Sequence, residues 1–239
     1  LVEEYVCRCP VPLRLIKQAV DGGLTTSYNT GATLAVSPLM IFAHSDGAFP
    51  SRQELRKLVE PLLGDDKVLA SYSELLMPEE VWQRYPFWEK FLFVRAVGRR
   101  VPTMCGKFDC IRKEAFWGAG GHNTVRFTAT CGYGGEDSDL YHRLTLLGPV
   151  VKSDAQVIHL HDISGAYSLR SLFLTRKLLA RTYAKILKFQ GVKLVLESLL
   201  LFARPALAVL PLVPHLHVLG ALFLILYSAL NSRPMYTHR

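Results

Sequence analysis

Up to about residue 165 the chain alternates short apolar runs with helical patterns and glycine-rich turns, the rhythm of an α/β domain. Val11 to Lys17 reads as a short strand, and Gly22-Gly23 turns the chain into a helix from about Leu24 to Ala35. The run from Pro38 to Ala43 is apolar without alternation, which predicts a strand covered on both faces. It ends at His44-Ser45-Asp46-Gly47. A helix over about Ser51 to Leu63 follows, with Ser51 as N-cap and Glu54 three residues on, a capping box. Asp66 to Tyr72 predicts another strand, and Pro78 to Val97 a helix carrying Trp82, Tyr85, Phe87, Trp88, Phe91 and Phe93. Thr103 to Arg112 reads as a strand running into a short helix through Phe116, and Gly118 to Cys131 as a loop. Leu140, Leu144 and Leu147 then stand at helical spacing, and Val150 to Leu160 predicts the last strand of the domain.

The pattern changes beyond residue 165. Leu169 to Lys193 holds seven basic residues interleaved with leucines and isoleucine and contains no acid, an amphipathic helix suited to an anionic bilayer surface. Leu194 to Leu230 is overwhelmingly apolar but is broken by Pro205, Pro211 and Pro214, which predicts either one tilted membrane span or a hairpin dipping into one leaflet. The organisation expected is a domain over 1–165, a basic amphipathic helix over 166–193, a hydrophobic membrane segment over 194–230 and a short tail over 231–239.

Composition sharpens this division. The 239 residues carry 28 Lys+Arg against 20 Asp+Glu, a formal charge of +8, and half of them are apolar. These values exclude a disordered tail, a collagen-like rod and a coiled coil, each of which needs a more biased composition. The mean hydropathy of +0.19 is high for a soluble protein and comes largely from the apolar tail. Five scattered cysteines form no CxxC pair, which points to a reducing compartment and away from structural zinc. The sequence starts at Leu1 with no signal-peptide pattern, and the missing methionine is read as an origin inside a longer sequence.

Two clusters carry candidate chemistry. His44-Ser45-Asp46 stands at the carboxyl end of the apolar strand, where open α/β sheets bind ligands, and a carboxylate there suits Mg2+ or Mn2+ with a ligand's phosphates. The bland reading of Asp46 is a turn residue. The second cluster, Gly134-Gly135-Glu136-Asp137-Ser138-Asp139-Leu140, places three acids at a helix start beside glycines that admit a ligand. One acid would suffice as a cap; an additional ionised carboxylate beside a phosphate site can take a proton from an attacking hydroxyl. A rival set, His44, Asp46, His159, His161 and Asp162, would suit a metal-dependent hydrolase, although His159 and His161 face opposite to Asp162 on a strand.

In this order the clusters resemble the family-2 glycosyltransferases with the GT-A fold. Asn29 and Gly31 are similar to the family's "RN-x-G" helix without its arginine, and Phe42-Ala43-His44-Ser45-Asp46 resembles the strand ending in "DxD", with His44 at the first acidic position. Gly106 through Ile111-Arg112-Lys113 and Phe116 resembles the following "RR-x-x-F" turn, and Gly135-Glu136-Asp137-x-Asp139-Leu140 with Arg143 the "GEDxDLxxR" motif. His161 is similar to a histidine found after the last strand. The likeness runs from Pro12 to His161, and the family's opening strands are not found, so sixty to eighty residues are expected ahead of Leu1.

The resemblance implies an open, Rossmann-like GT-A sheet sandwiched by helices. It implies inverting transfer of a sugar from a nucleotide-sugar donor to a hydroxyl of a lipid-linked or saccharide acceptor. Asp137 would be the base, with Glu136 beside it. Asp46, His44 and Asn29 would bind the donor, Asp46 and His161 would hold Mg2+ or Mn2+, and Asp139, Trp82 and Trp88 would meet the acceptor. The expected partners are the donor, the acceptor and the membrane, with no nucleic acid. The domain is expected at the cytoplasmic face of a membrane, and a non-catalytic membrane-anchored remnant is the third reading.

Overall fold

A computed structural model describes residues 10–19, 21–76, 78–84, 104–127, 135–160, 174, 177, 212–213 and 215–237. The elements in chain order are α1 (Gly23–Leu34), β1 (Leu39–Ala43), β2 (Gly47–Ala48), α2 (Glu54–Gly64), β3 (Ala70–Leu76), α3 (Glu79–Arg84), β4 (Phe108–Arg112), α4 (Lys113–Gly118), α5 (Glu136–Leu147), β5 (Val150–His159) and α6 (His217–Thr237). The strands form one open sheet in the order β1-β4-β3-β5-β2. The central β3 and β5 run parallel, while β4 lies antiparallel to both β1 and β3, and β2 antiparallel to β5. The fold is thus a mixed α/β open sheet with helices against it.

Alternation along the strands explains the layers, because successive side chains point to opposite faces. On one face Met40 and Phe42 of β1, Ile111 of β4 and Ala70 and Tyr72 of β3 pack with Phe116 of α4 and with Leu140 and Leu144 of α5. On the other, Phe108 and Cys110 of β4 and Ala155 and Val157 of β5 pack with Leu58 and Leu62 of α2.

Three expectations change. Residues 12–18 form no strand; Val11, Leu13, Leu15 and Ile16 lie exposed, and no neighbouring strand pairs with them among the described residues. β1 is not covered on both faces: it lies at the end of the strand order, and Ile41 is 40 % exposed between buried Met40 and Phe42. Ser51 does not cap α2, which starts at Glu54. Instead its hydroxyl bonds the Glu54 carboxylate at 2.6 Å. That buried carboxylate also accepts from Lys57 at 2.9 Å and from the Gln156 N–H of β5 at 2.7 Å, so it ties the helix to the sheet.

The strand expected over Asp66 to Tyr72 begins at Ala70, because Asp65 first makes a turn with the Lys67 N–H. The aromatic helix is described only as α3. Nearly all of the basic helix and about half of the apolar segment lie outside the described residues, and α6 covers the segment's end. Among those described, no helix is long and apolar enough to cross a membrane.

Candidate active site

The strand directions bring four distant segments to one edge of the sheet. Ala43, the last residue of β1, lies opposite Phe108, the first of β4, so His44 and Lys107 are neighbours. The His44 N–H donates to the Lys107 carbonyl at 3.2 Å. β5 ends at the same edge, where His159 pairs with Gly47 of β2 and the Leu160 N–H donates to the Asp46 carbonyl. The N-terminus of α5, which carries Glu136 and Asp137, adjoins this edge across Gly106, beside which Asp137 Cβ and His44 Nε2 both lie.

Lys107 sits at the centre of the first cluster. Its ammonium lies 2.7 Å from His44 Nδ1 and 3.0 and 3.2 Å from the two Asp46 carboxylate oxygens. His159 Nε2 stands 2.9 Å from Asp46 Oδ2. Burial alone would raise the Asp46 pKa, but the hydrogen bonds from Lys107 and His159 outweigh it and hold the carboxyl at about 2. Burial, followed by the Lys107 charge, lowers the pKa of His44, so its imidazole stays neutral.

The donor set does not fit a divalent cation. Both Asp46 oxygens and His44 Nδ1, the atoms a metal would need, face an ammonium that can only donate. No group of three or more His, Cys, Asp or Glu side chains is placed to hold a metal among the described residues. His161 and Asp162 lie outside the described residues.

Asp137 opens the second cluster. One of its oxygens accepts the N–H of the next residue, Ser138, at 2.7 Å. Burial, then the charge of Glu136, raises its pKa to about 7. Gly106, at φ +69°, lies between the clusters: a side chain there would start 3.9 Å from His44 Nε2, 3.9 Å from Asp137 Cβ and 3.7 Å from the Tyr28 hydroxyl. The Tyr28 O–H donates to the Gly106 carbonyl at 3.1 Å, which pins the turn.

Sequence reasoning missed Asp109 on β4. It shares the face of Ile111, is 1 % exposed, and accepts the Gly106 N–H on Oδ2 at 2.7 Å. Its Oδ1 is buried with no hydrogen-bond partner. Burial foremost, with the Asp137 charge adding to it, raises its pKa to about 8, so it is a neutral acid at the pH where Asp137 titrates.

Asn29 and Asp139 each make contacts within the fold. Asn29 clamps one residue at both ends: its amide donates to the His122 carbonyl, and its oxygen accepts the His122 N–H, each at 2.9 Å. Asp139, expected at the acceptor, is 1 % exposed and paired with Arg143 at 2.7 Å and Arg126 at 3.6 Å. Arg143 in turn donates to the carbonyls of Gly121 and Ala119, so this pair locks the glycine turn before α5. Trp88 lies outside the described residues, as does the Trp82 side chain.

No family model matches the chain, and no curated protein matches it in sequence. Solved structures do match. One is a mannosyltransferase from Pyrobaculum calidifontis in complex with GDP-Man and Mn2+, with a TM-score of 0.48 and 15 % identity over 100 % of this chain and 74 % of that one.

Proposed function

We propose that this chain is a glycosyltransferase of the family-2, GT-A type, moving a sugar from a nucleotide-sugar donor to a hydroxyl of a lipid-linked or saccharide acceptor with inversion. The observation that carries this reading is the placement, across Gly106, of a carboxyl tuned to about 7 beside the Lys107–His44–Asp46 cluster. A base poised near neutrality beside donors for an anion is the arrangement such a transfer needs. Asp137 takes the acceptor proton as the acceptor oxygen forms its bond to the anomeric carbon. The bond from that carbon to the donor's phosphate oxygen breaks, and its electron pair leaves with the diphosphate toward Lys107. Glu136 keeps the base weakly acidic. No step is routed through Mg2+ or Mn2+, whose expected ligands Asp46 and His44 are turned to Lys107.

The domain is placed by this reading at the cytoplasmic face of a membrane, on the strength of the acid-free basic stretch from Leu169 to Lys193 and the apolar run after it. The hydrolase reading gains the proximity of His44, Asp46 and His159, but the ammonium among them opposes a bound zinc ion.

Asp137→Asn is expected to lower sugar transfer by about a thousandfold or more while donor binding survives. The check is product formation beside calorimetric titration of the donor, using a panel of nucleotide sugars. Wild-type turnover in the variant would refute the base assignment, and failure to bind any nucleotide sugar even with the sequence expected ahead of Leu1 restored would mark the non-catalytic remnant.

A further inference from the structure

We propose that the Lys107 ammonium is a built-in replacement for the divalent metal, so that the donor's diphosphate is bound and its departure stabilised without Mg2+ or Mn2+. The inference rests on the glycosyl-transfer reading and adds to it the residue that meets the leaving group. Lys107 Nζ lies 2.7 Å from His44 Nδ1 and 3.0 and 3.2 Å from the Asp46 oxygens, the atoms at this strand end that would ligate a cation. It is held there by the sheet itself, because Lys107 directly precedes β4 and its carbonyl accepts the His44 N–H. Its side chain is only 17 % exposed, which shields the charge from water and strengthens its pull on an anion.

The same geometry fixes the histidine. An ammonium offers no lone pair, so His44 Nδ1 must accept and the ring proton must lie on Nε2. That Nε2 is buried and has no hydrogen-bond partner, and it faces the space beside Gly106 that Asp137 and Tyr28 also border. An unanswered N–H donor beside a lysine is matched by an acceptor-rich anion and mismatched to a metal ion. Asp46 becomes the counter-ion that holds Lys107 in place. As the sugar's carbon–oxygen bond breaks, the charge gathering on the diphosphate oxygen meets the ammonium and the His44 N–H, while the acceptor proton goes to Asp137.

Two measurements on the full chain test this. Electron paramagnetic resonance of added Mn2+ alone should show the free-ion signal undiminished; stoichiometric loss of that signal would overturn the proposal. Calorimetric titration with a panel of nucleoside diphosphates and with inorganic pyrophosphate, in EDTA and again in Mn2+, should give affinities within about threefold of each other for the diphosphate that binds. Lys107→Gln should weaken binding in EDTA by about tenfold or more, and Lys107→Arg should recover part of the loss. Binding that appears only with Mn2+ overturns the lysine's role and leaves glycosyl transfer standing. Binding of no diphosphate in either buffer overturns both. A Lys107→Gln chain with unchanged near-ultraviolet circular dichroism and wild-type binding in EDTA also overturns it, and the wild-type comparison decides the matter should that variant not fold.

Discussion

Asp137 and Asp109 are two carboxyls kept from ionising at their usual pH, and each leaves a separate trace. With Asp137 near 7, turnover should rise about tenfold per pH unit below that value and level off above it. Glu136→Gln removes a raising charge, so the midpoint should move to lower pH; a midpoint that stays in place removes Glu136 from the account. Asp109 acts on stability. A folded pKa of about 8 against an ordinary 3.8 means that the folded chain keeps a proton the unfolded chain has lost. Stability therefore falls as pH rises through that window, by up to about 1.4 kcal/mol per unit for each such carboxyl, and since Asp137 adds its share only up to about pH 7, Asp109→Asn should roughly halve the slope between pH 5 and pH 7 and largely remove it between pH 7 and pH 8 in urea titrations. The place of Asp137 at a helix start was legible because its motif is local. Lys107 was not: its partner His44 lies 63 residues away, and a lysine after a glycine reads as an ordinary turn residue. Asp109 offered one signal, an acid flanked by Phe108, Cys110 and Ile111 on a strand with no solvent to face.

Among elements, α2 shows how a predicted cap can turn out to be an anchor. Glu54→Ala would strand the Gln156 N–H and lose Ser51 and Lys57, for a cost of about 1–3 kcal/mol. Glu54→Gln keeps an oxygen for Gln156 and should cost less; urea midpoints separate the two. The apolar spacing that predicted α1, α2, α5 and the strands β1, β3, β4 and β5 survives folding because it reflects which face meets the core. Boundaries slipped where long-range contacts decide them. Arg112 donates to the carbonyls of Val68 and Leu62, holding the segment before β3 in a turn that no local pattern announces. The strand expected over Val11 to Lys17 failed for a related reason, since alternation becomes a strand only where a partner edge is offered.

At the scale of the whole molecule, the charge divides between a site with its own counter-ion and a tail free of acids from Leu169 to Lys193. The full chain should co-sediment with vesicles rich in phosphatidylserine and release them in high salt, while a chain ending at residue 165 should not; equal sedimentation of both would refute the membrane reading. The parallel β3–β5 ladder has a temporal meaning as well. It joins Ala70 to Val150 and Leu76 to Ile158, so a long intervening stretch must be gathered before the sheet's centre can zip. Closing such a loop costs entropy before any contact repays it, which slows this step of assembly. His44 precedes that closure, Lys107 and Asp137 lie within the loop it closes and His159 follows it, so all four meet only once the closure is made. Recovery of diphosphate binding during refolding should therefore lag the return of helical signal, which makes the site a clock for the last event of folding.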